Sequence, residues 1–387
     1  LPAAPAPMLL ATTIRPYEWG SVTALPDLFG VAPTGLPQAE LWVGAHPAAP
    51  SSAGGTPLPD LIAADPHGML GTESAARFGS SLPYLLKVLA VERPLSLQVH
   101  PSAAGARAGF AAEQARGIPL GDRARTYKDP HHKPEMVCAV TRFHGLCGFR
   151  EPAAAADHLE SLAVPGLEPW IGELRAGPSG RALRSVFTQM LDERAAPVRA
   201  EVERSLASRH PESVHAGIAR DHPGDPGVLA SLLLDHFVLE PGEALFLDAG
   251  VPHSYLGGLA VEIMANSDNV LRCGLTPKHV DVAELVRVVD FVPAALHRVE
   301  PKPGPDGEVL YRPPAAEFAL VRHDLSGAPH VLPRGWPQAV LCLDGEVALA
   351  GGPVLRPGDA AFVPADAPAC EITGKGTLYR ALPGIGA

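Results

Sequence analysis

Between residues 10 and 150 the apolar positions come in short pieces broken by Pro, Gly and Ser clusters, as in Glu40-Leu-Trp-Val43 and Tyr84-Leu-Leu-Lys-Val-Leu89. Strand-sized runs at that spacing predict an all-β sandwich or barrel. One run, Leu95-Ser-Leu-Gln-Val-His-Pro101, alternates strictly. Successive side chains of a strand point to opposite faces, so Leu95, Leu97 and Val99 are predicted to share the core face, with Ser96, Gln98 and His100 on the other. From about 153 to 234 the texture shifts to Ala, Glu, Arg and Leu, and residues 190–194 and 198–206 place apolar side chains at helical intervals. A turn-rich break over 221–227 precedes a short apolar run that predicts one more helix. Strand texture returns from Asp235 to Ala265, and residues 280–287 form a helical patch after a Thr-Pro pair that suits a helix start. The Pro-rich stretch 299–307 predicts a linker or long turn, and short strands and turns resume beyond it.

The pattern also repeats. Pro241-Gly-Glu-Ala-Leu-Phe-Leu-Asp-Ala-Gly-Val-Pro-His253 aligns without gaps on Pro357-Gly-Asp-Ala-Ala-Phe-Val-Pro-Ala-Asp-Ala-Pro-Ala369. Such a turn, strand, turn unit is typical of the cupin form of the jelly roll. The fold class expected is therefore mainly β: two cupin-type jelly rolls with an α-helical insertion. Residues 1–152 form the first part of a site-bearing jelly roll and 153–234 the insertion. Residues 235–298 complete that jelly roll and its metal site, and 299–387 form a degenerate second one. His253 aligns with Ala369, so the shared Pro, Gly and Phe serve the fold while the histidine is additional. A chemical role is expected for His253, and no metal in the second unit.

With 387 residues the chain fits two or three domains, and 46% hydrophobic against 19% charged residues is a soluble, core-forming composition. The formal net charge of −11 argues against nucleic acid or an anionic membrane as partner. An anionic small molecule would need a local basic cluster. Five cysteines, at 138, 147, 273, 342 and 370, show no C-x-x-C spacing. No signal-like start and no apolar run near about 18 residues occur, so a cytoplasmic location with free thiols is expected. Cys273 beside Arg272 is read as a buried structural thiol.

Three segments carry metal-competent residues. The alternating run offers Gln98 and His100, His131-His-Lys-Pro-Glu135 offers Glu135, and Gly250-Val-Pro-His-Ser254 offers His253. Singly each is an ordinary polar residue. Together they make a neutral-oxygen, nitrogen, carboxylate, nitrogen set that suits zinc and lacks the thiolates of a closed structural site.

With these segments in hand the chain resembles the type I mannose-6-phosphate isomerases. The likeness runs through Pro16-Tyr-Glu-Trp-Gly-Ser21, Glu40-Leu-Trp-Val-Gly-Ala-His46, Leu95-Ser-Leu-Gln-Val-His-Pro101, His132-Lys-Pro-Glu135 and Asn266-Ser-Asp-Asn-Val-Leu-Arg-Cys-Gly-Leu-Thr-Pro-Lys278. The resemblance implies a zinc-dependent aldose–ketose isomerase that interconverts mannose 6-phosphate and fructose 6-phosphate through a cis-enediol(ate). It implies one Zn2+ per chain, held by Gln98, His100, Glu135 and His253. It also implies catalytic roles for Arg272, Lys133, His132 and Asp268, and binding of the sugar phosphate by Lys87, Ser96 and Lys278. His132, Lys133 and Asp268 are all chemically able to move the proton, and the sequence does not rank them. His131 is a departure, since the family often has Asn there. The partner expected is a small sugar phosphate, with no nucleic acid and no membrane, and the oligomeric state is open, a monomer included. The alternatives are an isomerase of the same fold acting on another or an unphosphorylated sugar, a cupin oxygenase, and a non-catalytic sugar-binding cupin. A Gln ligand speaks against the oxygenase, and Arg272, Lys133 and Asp268 beside the ligands speak against the last.

Overall fold

The computed structural model describes residues 6–387 except 279 and 294. Alternation along a few central strands decides the architecture. Arg298–Val299, Ala244–Leu247, Glu135–Ala139, His253–Ala265, Tyr84–Val91, Glu40–Gly44 and Thr13–Arg15 lie side by side, all antiparallel, in an 11-stranded sheet. Leu41 and Val43, Leu86 and Val88, Met136 and Cys138, and Val261 and Ile263 share one core with Leu320, Leu341, Phe362 and Tyr379 of a second, 9-stranded sheet. The residues between them, Trp42, Lys87, Val137 and Glu262, therefore turn the other way, into the interior of the first jelly roll. Tyr84 ties the two sheets together: its buried hydroxyl donates to the Pro337 carbonyl at 2.9 Å and accepts from the Ala339 N–H at 3.1 Å.

The repeat is structural. Ala244–Leu247 and Ala360–Val363 are equivalent strands, each followed by a strand of 13 residues, His253–Ala265 and Cys370–Leu382. Gly242 and Gly358 open both copies with left-handed φ values of 88° and 91°, which glycine adopts without strain. The protein is thus mainly β, built of two cupin-type jelly rolls with inserted helices.

Six α-helices lie between the strands Phe143–Phe149 and Leu234–Leu239: Pro152–Ser161, Glu168–Ala176, Ser179–Leu191, Ala196–Arg209, Val214–Asp221 and Gly227–Ser231. Ser179–Leu191 buries Ala182, Leu183, Val186, Phe187 and Met190, a stripe at three- and four-residue spacing. That stripe joins Leu97, Val99, Phe149 and Leu271 in one core, so the helices back the strands that carry Gln98 and Arg272. The helix ends at Leu191 because the Asp192 side chain caps the next turn through the Arg194 N–H, so the helical spacing over 190–194 does not persist to its end.

Four other expectations need correction. Residues 10–150 are not all β: Ala24–Phe29, Leu58–Ala64, Pro66–Leu70, Thr72–Phe78 and Ala103–Ala115 are helices. The longest of these, capped by Ser102, buries just Ala106 and Glu113 and so shows no apolar stripe. The alternating run is a strand over Leu97–Val99 alone, and Leu95 packs into the interior core with Tyr255 rather than with Leu97 and Val99. The helix after Thr276-Pro277 starts later, at Val282, with Asp281 as its cap. The 299–307 stretch is also no loose linker, since Lys302–Pro303 pairs with Glu308–Tyr311 across a tight turn. No helix among the described residues is long and apolar enough to cross a membrane.

Candidate metal centre and active site

Strand register builds the first part of the site. Arg272 lies opposite Gln98, Gln98 opposite His253, and His253 opposite Cys147 on successive antiparallel strands. Residues directly opposed across an antiparallel pair share a face, so Arg272, Gln98 and His253 form a row. The strand His253–Ala265 is bent between Tyr255 and Gly257, where its register shifts, and Gly258 takes a φ of 110°. The bend lets its first half pair with Phe143–Phe149 while its second half pairs with Tyr84–Val91 and Glu135–Ala139. It thereby brings His253 over Glu135.

His100, Glu135 and His253 are all buried, and their ligand atoms lie within 4.8 Å of one another. Glu135 Oε1 is 3.1 Å from His253 Nε2 and its Oε2 is 3.3 Å from His100 Nε2. Each ring is oriented from behind: His100 Nδ1 donates to the Asn269 carbonyl at 2.8 Å and His253 Nδ1 to the Val251 carbonyl at 3.0 Å. Both Nε2 lone pairs are thus presented to the cluster, as metal-binding histidines require. Burial, aided by the Lys133 charge, pushes His100 down to about 4, so its ring is neutral at neutral pH. His100 Nε2 has no hydrogen-bond partner although it is buried, and apart from that ring Glu135 Oε2 has only the Lys133 ammonium beside it. An orphaned buried polar atom is costly, and a cation between the two would satisfy both. The Gln98 amide nitrogen lies 3.4 Å from His253 Nε2, and turning the amide over offers its oxygen to the same ion. The donor set fits a divalent cation such as zinc.

The remaining candidates fall into three places. Lys133 is buried with its ammonium 3.1 Å from Glu135 Oε2. Burial would raise the Glu135 carboxyl, but the Lys133 ammonium beside it holds it well below the carboxylate range. Asp268 is half-exposed, 3.2 Å from His46 Nε2. Burial acts to raise this acid too, and the His46 hydrogen bond outweighs it, leaving the carboxyl below its usual range. His132 lies outside the ligand cluster and pairs instead with Glu317 of the second jelly roll at 2.7 Å.

Lys87, Ser96 and Lys278 are not brought into one basic patch. Lys87 is buried inside the jelly roll, 3.0 Å from Glu262 and 3.3 Å from Glu40, with its ammonium 5.1 Å from the centre of the Trp42 ring. Burial would lower this ammonium, yet the two carboxylates hold it above its ordinary value. Ser96 is half-buried just ahead of the Leu97–Val99 strand. Lys278 is exposed and lines a cavity of about 440 Å³ with Arg272.

Glu40, Glu262, Tyr255 and Asn269 were not singled out by the sequence. Tyr255 donates its hydroxyl to Glu135 Oε1 at 3.3 Å, and Asn269 bridges the Asp129 and His131 carbonyls, fixing the loop before Glu135. A lone acid in the apolar run Leu259-Ala-Val-Glu-Ile-Met-Ala265 was the available signal for Glu262.

A jelly roll whose bent strand closes a buried His–Glu–His cluster beside an arginine defines a cupin with a metal-competent active site. The family described as phosphomannose isomerase type I, catalytic domain, matches residues 8–152. Mannose-6-phosphate isomerase of Escherichia coli (strain K12) is 39% identical over 386 residues, covering 96% of this chain and 98% of that protein. The Rattus norvegicus enzyme of the same name is 32% identical over 82% of each chain. Among solved structures, a lysine-to-alanine variant of phosphomannose isomerase from Salmonella typhimurium superposes with a TM-score of 0.91 at 38% identity, covering 98% of this chain and 100% of that one. A mannose 6-phosphate isomerase bound with zinc and yttrium superposes with a TM-score of 0.90 at 38% identity, over the same shares. The chain belongs to the type I phosphomannose isomerases.

Proposed function

We propose that the chain is a zinc-dependent aldose–ketose isomerase interconverting mannose 6-phosphate and fructose 6-phosphate. The observation that carries this is the row Arg272, Gln98, His253 beside the buried Glu135 and His100, in a chain 39% identical over 96% of its length to the Escherichia coli enzyme. Gln98, His100, Glu135 and His253 would hold one zinc ion, which supplies a Lewis acid for the sugar carbonyl.

Asp268 acts as the base. Of the three candidates it alone is acceptor-only, and it is half-exposed where a substrate can reach it. His46 is its positioning residue: Nδ1 accepts the Ala48 N–H at 3.2 Å, so Nε2 carries the proton that holds the carboxylate. Asp268 removes the proton from C2 of the aldose, the C–H electrons form the C1–C2 double bond, and negative charge moves to the carbonyl oxygen. The O2 hydroxyl proton passes to O1, the C2–O bond becomes the new carbonyl, and the C1–C2 electron pair takes up at C1 the proton that left C2 or one exchanged from water. Arg272 stabilises the enediolate, a role supported by its register opposite Gln98, and it stays protonated at any working pH. Lys133 donates to the sugar hydroxyls from its place on Glu135. Lys278 takes the phosphate, and His132 serves the contact between the two jelly rolls through Glu317. Five buried, unpaired cysteines support a reducing, cytoplasmic setting.

Turnover of mannose 6-phosphate in deuterium oxide tests the reading. Fructose 6-phosphate carrying solvent deuterium at C1 is the expected product. No turnover would contradict the activity, and turnover without any label would contradict an exchangeable base.

A further inference from the structure

The cavity that Arg272 lines has two walls. One holds Arg272, Lys278 and Asp281, and the other is the 121–128 loop with Arg123, Arg125 and Lys128. Four of the charged side chains on these walls have hydrogen-bond partners, and of these Arg125 alone is paired with an opposite charge. Arg125 is buried 3.1 Å from Glu113 Oε2, and its Nη1 donates to the Ile118 carbonyl at 2.7 Å. Lys128 donates to the Leu120 carbonyl at 2.9 Å. Asp281 accepts the Glu284 N–H at 3.0 Å, and Asp122 accepts the Ala124 N–H at 2.8 Å. Among the described residues, Arg272, Lys278 and Arg123 are the cations on this cavity whose side chains have no partner. A second hollow is lined by Arg123 and Lys278 together with Asp122, Ala124 and Pro277, so the two cations border the same space twice.

Arg123 is carried on a pinned loop. The Glu113 carboxylate accepts the Thr126 and Tyr127 N–H groups at 3.0 and 2.8 Å, and the Tyr127 hydroxyl donates to Glu284 at 2.6 Å. The loop is thus fastened both to the helix Ala103–Ala115 and to the helix Val282–Val288. The three unpartnered cations outnumber the two carboxylates on the cavity, Asp122 and Asp281; they repel one another, and a dianion among them reverses the sign of the interaction. On a chain of net charge −11 such a cluster is a local anion site.

We propose that Arg123 is a specificity-determining residue that takes the substrate's phosphate opposite Lys278, in the cavity that Arg272 also lines. The proposal rests on the sugar-phosphate reading above and adds a residue that reading does not use. Arginine suits the task because its planar fork meets two phosphate oxygens at once.

The test compares Arg123→Gln and Arg123→Lys with the parent by steady-state kinetics on mannose 6-phosphate and on mannose, and by calorimetric titration with inorganic phosphate. Arg123 is exposed, and melting curves check that both variants are folded. Arg123→Gln is expected to raise KM for mannose 6-phosphate about three- to tenfold, more than it lowers kcat, the scale for one exposed charge-assisted contact. The preference for the phosphorylated over the free sugar falls with it, phosphate binding weakens by a similar factor, and Arg123→Lys recovers part of both. Unchanged phosphate binding in Arg123→Gln, or an equal rise in KM for both sugars, overturns the proposal. If the parent fails to convert mannose 6-phosphate, the functional reading falls, while the phosphate titration still decides the role of Arg123.

Discussion

Arg272 and Gln98 occupy directly opposed positions on neighbouring antiparallel strands. A charge-stabilising cation and a candidate metal ligand therefore rise from one face, with their spacing set by backbone hydrogen bonds rather than by side-chain flexibility. Arg272 also has no ion-pair partner among the described residues, so removing it leaves no carboxylate stranded. Arg272→Ala is expected to keep its metal and its melting temperature while turnover falls roughly a hundredfold or more, the scale for losing a preorganised donor. Near-parental turnover in that variant would mean the enediolate is stabilised elsewhere.

Metal content separates the two jelly rolls. The purified protein is expected to carry about one zinc per chain, and His253→Ala to lose most of it, since Nε2 of that ring closes the cluster on Glu135. Ala369→Ser, at the equivalent place in the second copy, should leave metal content unaltered. Elemental analysis of the three proteins decides between this and a second metal site.

Lys87 is held between two buried carboxylates, which makes it a stability residue as well as a neighbour of the site. Lys87→Met leaves Glu40 and Glu262 facing each other without a counter-charge. Breaking a buried pair from one side typically costs about 3–5 kcal/mol, so urea unfolding should show a loss of that order. Adding Glu262→Gln to the same chain should recover part of it. A Lys87→Met protein as stable as the parent would contradict the buried arrangement.

Two histidines far from the metal cluster set an acid limit. Burial, then the neighbouring His158 charge, lowers His215 to about 3; burial, then Arg380, lowers His323 to about 3. Arg380 Nε donates to His323 Nε2 at 3.1 Å, which needs the neutral ring. Above about pH 6.5 neither state binds the proton and the contribution to stability is complete. Below it the unfolded chain takes up protons that the folded one refuses, so stability falls as pH drops toward 3. Between pH 7 and 5 the loss is about 2 kcal/mol for each ring at most. Denaturant titrations at the two pH values should show the fall, with a smaller one in His215→Gln. An equal fall in parent and variant would show that other groups carry it.

Much of this was legible in the chain. Gly242 and Gly358 mark the same left-handed turn, and turn chemistry is local, so the repeat and the jelly roll followed from it. Gln98 and His100 were visible because alternation on a strand is a property of neighbouring residues. The interior position of Lys87 was not, because an isolated lysine in an apolar strand has the same pattern whether it meets a ligand or two carboxylates from strands 47 and 175 residues away. The helix Ala103–Ala115 was missed for the opposite reason: it buries too little to leave a stripe. His132 was adjacent in sequence to Lys133 but turns to Glu317, a contact with a partner 185 residues on.

The account stands most directly on a coupled assay of mannose 6-phosphate conversion, run on the protein as purified, after removal of metal by a chelator, and after return of one equivalent of zinc per chain. Conversion to fructose 6-phosphate that is lost with the metal and restored by zinc is the expected result. Conversion that persists in metal-free protein, or no conversion in the zinc-loaded form, would contradict it.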